Sequence, residues 1–408
     1  MNLSPSAHAQ PIIDAVRKMV ADVIAPMDAE FLAEVDVGDR WQFTPRQTEI
    51  LEGLKTQAKA AGLFNLWNTM DGGAGLSTVD YAWAAEEMGK SHLAAEVFNC
   101  NAPDTGNMEV FARYGSDSMK SQWLAPLMAG EIRSAYLMTE PDVASSDATN
   151  IAMTCVRYGD DYVLNGEKWW STGAGDPRCA VYIVMVRTGG DDMPKHQRHS
   201  MIVVPSAAQG ITQLRAMEVY GHDDAPHGPM HLRFENVRVP AENMLVGEGR
   251  GFEIAQGRLG PGRIHHCMRA IGQAELALEW MCKRGLARQA FGKDLTQLGG
   301  NFDIIADARM EIEQARLLCL KAAWMMDQGD ARAAAPWISQ IKVVAPLMAL
   351  KVTDAAVQMH GAEGISQDTP LARQWTHLRT LRLADGPDAV HRRQVARAEL
   401  HKYQTEKR

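Results

Sequence analysis

The residues of this chain that can do chemistry gather in short stretches. Leu383-Ala384-Asp385-Gly386-Pro387-Asp388 leads into a helical run from Ala389 to His401. Pro387 suits the first turn of that helix, and Asp385 stands just before its N-terminus, where the helix dipole favours a carboxylate. A base and an acidic cap region are both open readings. Tyr136-Leu137-Met138-Thr139-Glu140-Pro141-Asp142-Val143-Ala144-Ser145-Ser146-Asp147 ends in small hydroxyl residues and acids, which suits a polar ligand or a capped loop alike. In Asn165-Gly166-Glu167-Lys168-Trp169-Trp170-Ser171-Thr172-Gly173, a Trp pair stands beside hydroxyls. An aromatic face stacks on a flat heteroatom-rich ring while hydroxyls satisfy its edge; a Trp-rich core hairpin has the same composition. Arg288-Gln289-Ala290-Phe291-Gly292-Lys293 closes a helical stretch, where basic residues meet a phosphate or complement the helix end. Gln358-Met359-His360-Gly361-Ala362-Glu363-Gly364 is a helix end whose glycines allow close approach of a ligand or form a plain C-cap.

Three zones must position these residues. From about 10 to 133 the pattern reads as helices broken by loops such as Asp71-Gly72-Gly73-Ala74-Gly75 and Tyr114-Gly115-Ser116-Asp117. From 134 to 243 it reads as strands. Val181 to Val186 and Met201 to Val204 are short β-branched apolar runs, and His231 to Glu235 alternates as a half-buried strand does. Phe234 to Asn243 is a strand with a Pro-containing exit. Gly159-Asp160 and Asn165-Gly166 stand between strand-like flanks and predict two tight turns of a β-meander. After 244 helices return. Asp303 to Gln328 carries apolar residues at helical spacing, with Gly329 as its stop. The layout is α+β with three domains, 1–133, 134–243 and 244–408.

Composition removes several functions. The chain of 408 residues is 46% hydrophobic and 23% charged, with a net charge of −8. An acidic chain argues against nucleic-acid binding. Six cysteines, at 100, 155, 179, 267, 282 and 319, show no metal-ligand spacing and fit a reducing compartment. No basic stretch followed by an apolar core opens the chain, and no continuous apolar run approaches the roughly 18 residues of a bilayer span. The expectation is a soluble, cytoplasmic protein that binds no metal.

In order and together, these stretches resemble the acyl-CoA dehydrogenase family over nearly the whole chain. Its Thr-Glu-Pro matches Thr139-Glu140-Pro141, its Ser-Asp matches Ser146-Asp147, and its Asn-Gly-x-Lys-x-Trp-x-Thr matches Asn165 to Thr172. Its Phe-Glu-x-Val-x-Val-Pro matches residues 234 to 240. Arg288 with Phe291-Gly292-Lys293, and Gln358 with Gly361, are similar to its C-terminal cofactor contacts. The resemblance implies an N-terminal helical domain, a central β-barrel-like domain and a C-terminal four-helix bundle. It implies FAD, contacted by Tyr136, Met138, Thr139, Ser146, Trp170, Ser171, Thr172 and Pro387. Arg288, Phe291, Gln358, His360 and Gly361 would reach the adenosine-pyrophosphate part from a neighbouring subunit, so a homo-oligomer, a dimer of dimers, is expected. Ser146, Arg263 and Gly386 are the implied acyl-CoA contacts. Electron-transfer flavoprotein is the implied acceptor and fatty-acid β-oxidation the implied setting.

Oxidising an acyl thioester needs a carboxylate within reach of the α-proton. The family usually places Glu in a Glu-Gly-Thr-like loop, where this chain has Asp385-Gly386-Pro387. A minority keeps its Glu beside the channel arginine, and that position here is Gly262. Asp385 is therefore the candidate base. It is one methylene shorter than Glu, and a misplacement of roughly 1 Å can cost about 10²-fold in rate. The Asp-Gly-Pro-Asp run resembles the branch of family members ten and eleven, which suggests longer, branched or hydroxylated acyl chains. Gly299 and Ala389 stand where many members carry Gln near the cofactor. Two rivals share the resemblance: a flavin oxidase of the nitroalkane-oxidase type, which also uses Asp, and a non-catalytic CoA- or FAD-binding protein.

Overall fold

The computed structural model describes residues 1–68 and 73–405. Asp71 and Gly72, read above as part of a loop, lie outside the described residues. The chain forms two compact units, one of residues 29–57 and 99–259, the other of residues 1–28, 58–98 and 260–408.

The first unit is built on a seven-stranded sheet. Its strands are β1 (Arg133–Leu137), β2 (Thr154–Tyr158), β3 (Asp161–Thr172), β4 (Cys179–Arg187), β5 (His199–Pro205), β6 (Ile211–Ala216) and β7 (Pro229–Pro240). They run in the order β1-β4-β2-β3-β7-β6, with β5 paired to β4. The apolar run Val181 to Val186 is buried along its whole length in β4, as befits a strand covered on both faces. β7 instead buries Met230, Leu232, Phe234, Val237 and Val239, with more exposed residues between them. These residues join Leu164, Val184 and Ile202 in one core, each buried side chain contributing about 1.5–3 kcal/mol.

One of the two expected turns is present. Tyr158 pairs with Asp161, so Gly159-Asp160 is the two-residue turn between β2 and β3. Asn165-Gly166 is not a turn. It lies inside β3, at a register shift against β7 between Leu164 and Gly166. Gly166 has φ +144°, and a Cβ there would lie 2.9 Å from Met153 Cγ. The glycine answers a bulge and a close approach rather than a hairpin.

The second unit is helical. Its helices include α1 (Thr78–Met88), α2 (Gly251–Ala287, from residue 260 onward), α3 (Asn301–Asp327), α4 (Ala331–His360), α5 (Leu371–Leu381) and α6 (Asp388–Thr405). α3 covers the helix expected from Asp303 to Gln328. Ser77 and Asp80 form a capping box at the start of α1, and Asp330 caps α4 through the Arg332 and Ala333 N–H groups. α1 crosses α2 with no side chain between the backbones: a Cβ on Gly272 would lie 1.9 Å from Glu86 O, and one on Gly89 would lie 2.1 Å from Arg269 O. Beside that crossing the buried Arg316 of α3 meets Glu86 with two 2.9 Å hydrogen bonds and also reaches Glu275 of α2. The bidentate fork ties three helices together.

α4 corrects one expectation. Counting uninterrupted apolar residues finds only Val343 to Leu350, yet Ala331–Ile365 is long and apolar enough to cross a membrane by length and composition. Half of its most apolar window is buried against protein, which is how the central helix of a bundle passes the same test.

Candidate functional site

In the sheet unit a buried ion pair fastens two of the motifs. Lys168 of β3, fully buried, donates to Glu140 Oε1 at 2.8 Å and to Met138 O at 3.0 Å. Glu140 in turn accepts the N–H groups of Ala152 and Met153 at 2.8 and 3.0 Å. Trp169 N–H donates to Thr139 O at 3.0 Å, so the two segments are also joined backbone to backbone. Burial pushes the Lys168 ammonium down to about 8, against the pull of Glu140. Tyr136, Met138 and Thr139 are thereby held alongside Trp170, Ser171 and Thr172, whereas Ser146 lies further along an exposed loop.

The end of β3 is shaped for a ligand. Trp170 has φ +53° and is 39% exposed. The indole Nε1 of Trp169 and the Oγ of Ser171 are buried without a hydrogen-bond partner among the described residues. Strain at a non-glycine residue and orphaned buried polar atoms are each costly, and they concentrate where a ligand completes the structure. A flat ring with donors and acceptors on its edge, such as an isoalloxazine, fits that set.

In the helical unit Asp385 occupies a closed loop. Arg382 donates to Asp388 Oδ2 at 2.9 and 2.7 Å, and Asp388 N–H returns to Arg382 O at 3.2 Å. At the middle of this loop Asp385 has φ +55° and Gly386 φ +101°. The left-handed turn is clamped at one atom: the Asp385 carbonyl oxygen accepts from Arg263 Nε at 3.1 Å and from His391 Nε2 at 3.2 Å. A Cβ on Gly386 would lie 2.9 Å from that same His391 Nε2, so only glycine fits. The Asp385 side chain, 26% exposed, places Oδ2 3.6 Å from His266 Nε2. Lys342, buried, donates to Leu381 O at 2.5 Å. Burial lowers Arg263 and Lys342 from their ordinary values, while Asp385 pulls both the other way. Burial, then Arg263, holds His391 down to about 4, and burial, then Arg269, holds His266 down to about 3. A partly exposed carboxylate flanked by two cations and two neutral imidazoles can accept a proton from carbon.

The remaining motif residues share one end of the bundle. Phe291 stands at the tip of a short hairpin, Gln289–Ala290 against Lys293–Asp294, with φ +52° and 95% exposure. Gln358 is exposed, Gly361 ends α4 with φ +65°, and Arg284 meets Glu363 at 2.9 Å. His360 turns inward, its Nδ1 donating to Ala356 O at 2.8 Å and its ring 5.8 Å from Trp280.

Models of the acyl-CoA dehydrogenase N-terminal, middle and C-terminal domains match residues 6–131, 135–237 and 249–400. The chain belongs to the acyl-CoA dehydrogenase family. It is 49% identical to acyl-CoA dehydrogenase family member 11 of Gallus gallus, over 97% of this chain and 51% of that protein. It is 53% identical to the probable acyl-CoA dehydrogenase FadE2 of Mycobacterium tuberculosis, over 86% of each. The solved butyryl-CoA dehydrogenase of Megasphaera elsdenii superposes with a TM-score of 0.81 at 26% identity, covering 98% of this chain and 100% of that one. The chain spans about half the length of the family-member-11 relatives. The three-domain acyl-CoA dehydrogenase fold, a curled sheet domain between helical ones, is the fold seen here.

Sequence reading named Glu140 and Lys168 only as motif letters; their role is the ion pair that fastens the motifs. It missed His266, Lys342 and His391 altogether. His266 was within reach, since it falls one helical turn after Arg263 on α2 and shares its face. Lys342 and His391 belong to other helices, and nothing local marks them.

Proposed function

We propose that this protein is an FAD-dependent acyl-CoA dehydrogenase that converts an acyl-CoA thioester to the 2-enoyl-CoA with Asp385 as the base. The observation that carries the reading is the Asp385 turn: a carboxylate held at φ +55° by two donors on its own carbonyl, in a loop closed by an ion pair. FAD, when bound, supplies the acceptor for the β-hydride. Tyr136, Met138, Thr139, Trp170, Ser171 and Thr172 hold the flavin, with the Trp169 and Ser171 polar atoms meeting its edge. Arg263 fixes the base by its backbone, and Lys342 fixes the preceding helix end.

Shortening the base from Glu to Asp is compensated in this reading by the left-handed turn, which changes where the carboxyl is presented. The identity to family member 11 supports a longer, branched or hydroxylated acyl chain. Exposure of Phe291 at a strained hairpin tip supports assembly with a second copy that completes the adenosine-pyrophosphate site. Electron-transfer flavoprotein as acceptor and a cytoplasmic location complete the proposal.

Anaerobic titration of the FAD-loaded protein with a panel of acyl-CoAs tests it. Bleaching of the flavin by a thioester supports the dehydrogenase. Peroxide formation with nitroalkanes and no bleaching by any thioester overturns it in favour of the oxidase.

A further inference from the structure

Two contacts determine which nitrogen of His266 carries its proton. Arg269 NH2 lies 3.3 Å from His266 Nδ1. A guanidinium can only donate, so Nδ1 accepts and is unprotonated. In a neutral imidazole the proton is then on Nε2, the nitrogen that faces Asp385 Oδ2 at 3.6 Å. That separation closes to a hydrogen bond with a shift of about half an ångström.

We propose that His266 is a positioning residue for the base: a neutral Nε2–H donor, oriented by Arg269, that selects the rotamer of the Asp385 carboxylate and stabilises its anionic form. This rests on the reading of Asp385 as the base. The groups facing His266 are Arg269 on its own helix, Asp385 from the loop before α6, Lys342 from α4 and His377 from α5. His265, the adjacent imidazole, points away and packs edge-on to Tyr81 at 4.5 Å. Burial and the flanking cations keep His266 uncharged through neutral pH. A neutral donor matters here, because an imidazolium would stabilise the carboxylate so far as to weaken it as a base. When the α-proton passes from carbon to Asp385, His266 keeps its own proton, so no second transfer accompanies the step.

His266→Gln and His266→Met have nearly the same shape, but only Gln retains a donor and an acceptor. Flavin reduction by an acyl-CoA is followed across pH for both variants, the wild type and Asp385→Asn. The expected result is a loss of about tenfold for Met at neutral pH, with the acid limb of its profile moved up by about one pH unit and substrate dissociation unchanged. Gln restores most of the rate. A wild-type pH profile in the Met variant overturns the proposal, as does an equal loss in both variants. Near-normal reduction by Asp385→Asn sinks the base itself, a distinct outcome. Should the Met variant not fold, nitrogen-15 histidine NMR of the FAD-loaded wild type decides: a protonated Nε2 with a bare Nδ1 supports the proposal, and an imidazolium or the reverse tautomer overturns it.

Discussion

The end of β3 and the Asp385 turn both hold reactive groups in uncommon backbone conformations, but by opposite means. At β3 one buried ion pair, Lys168 with Glu140, fastens two segments that each lie close together in sequence. At Asp385 four basic side chains converge on residues 381–385, Arg263 and His266 from α2, Lys342 from α4 and His391 from α6. The first arrangement centres on one buried ion pair, backed by the Trp169–Thr139 backbone bond and the N–H groups that Glu140 accepts. The second spreads its hold over donors from three helices, two of which meet the Asp385 carbonyl oxygen rather than its carboxylate.

That contrast can be broken by substitution. Asp385→Asn is expected to lower flavin reduction about 10³-fold while FAD remains bound, measured by anaerobic stopped flow and by flavin retained through gel filtration. An equal loss of FAD would mean that the two regions are not separable. Lys168→Met strands the Glu140 carboxylate in the core and is expected to cost about 3–5 kcal/mol in denaturant unfolding, with weakened FAD retention. An unchanged midpoint would show that the backbone bonds alone hold the motifs.

His391 sharpens the comparison through pH. Its folded value near 4 lies below the ordinary 6.5, because burial disfavours the imidazolium. Between those values the unfolded chain binds the proton and the folded chain does not. Its contribution is therefore present above pH 6.5 and lost as the pH falls toward 4. Stability should drop by about 3 kcal/mol from this group across that window, and His391→Asn should flatten the slope. Unfolding midpoints at closely spaced pH values read it. The smallest effect is expected at Gly166→Ala, about 1–3 kcal/mol from φ +144° and the nearby Met153, visible as a lower melting temperature with little change in flavin reduction.

The same contrast explains what could be read from the sequence. The strands of residues 154–240 and the helix of α3 follow from period and burial, and the residues at β3 are contiguous enough for a motif to carry them. The Asn165-Gly166 turn misled because a glycine needed for a bulge has the same letters as one needed for a hairpin. Asp385 was visible by its place before a helix, but Lys342 is an ordinary letter in an apolar helix. Its meaning comes only from the carbonyl of Leu381 that α4 brings to it. Groups assembled from several helices leave no local trace, since each helix shows only its own period.

The left-handed Asp385 also sets a direction for laboratory evolution. A non-glycine residue there costs roughly 1–2 kcal/mol that glycine would not incur. A selection for heat resistance alone should therefore favour Asp385→Gly, a protein that withstands higher temperature and turns nothing over. Libraries screened for robustness at this position need turnover as a second filter, because here the two properties pull against each other.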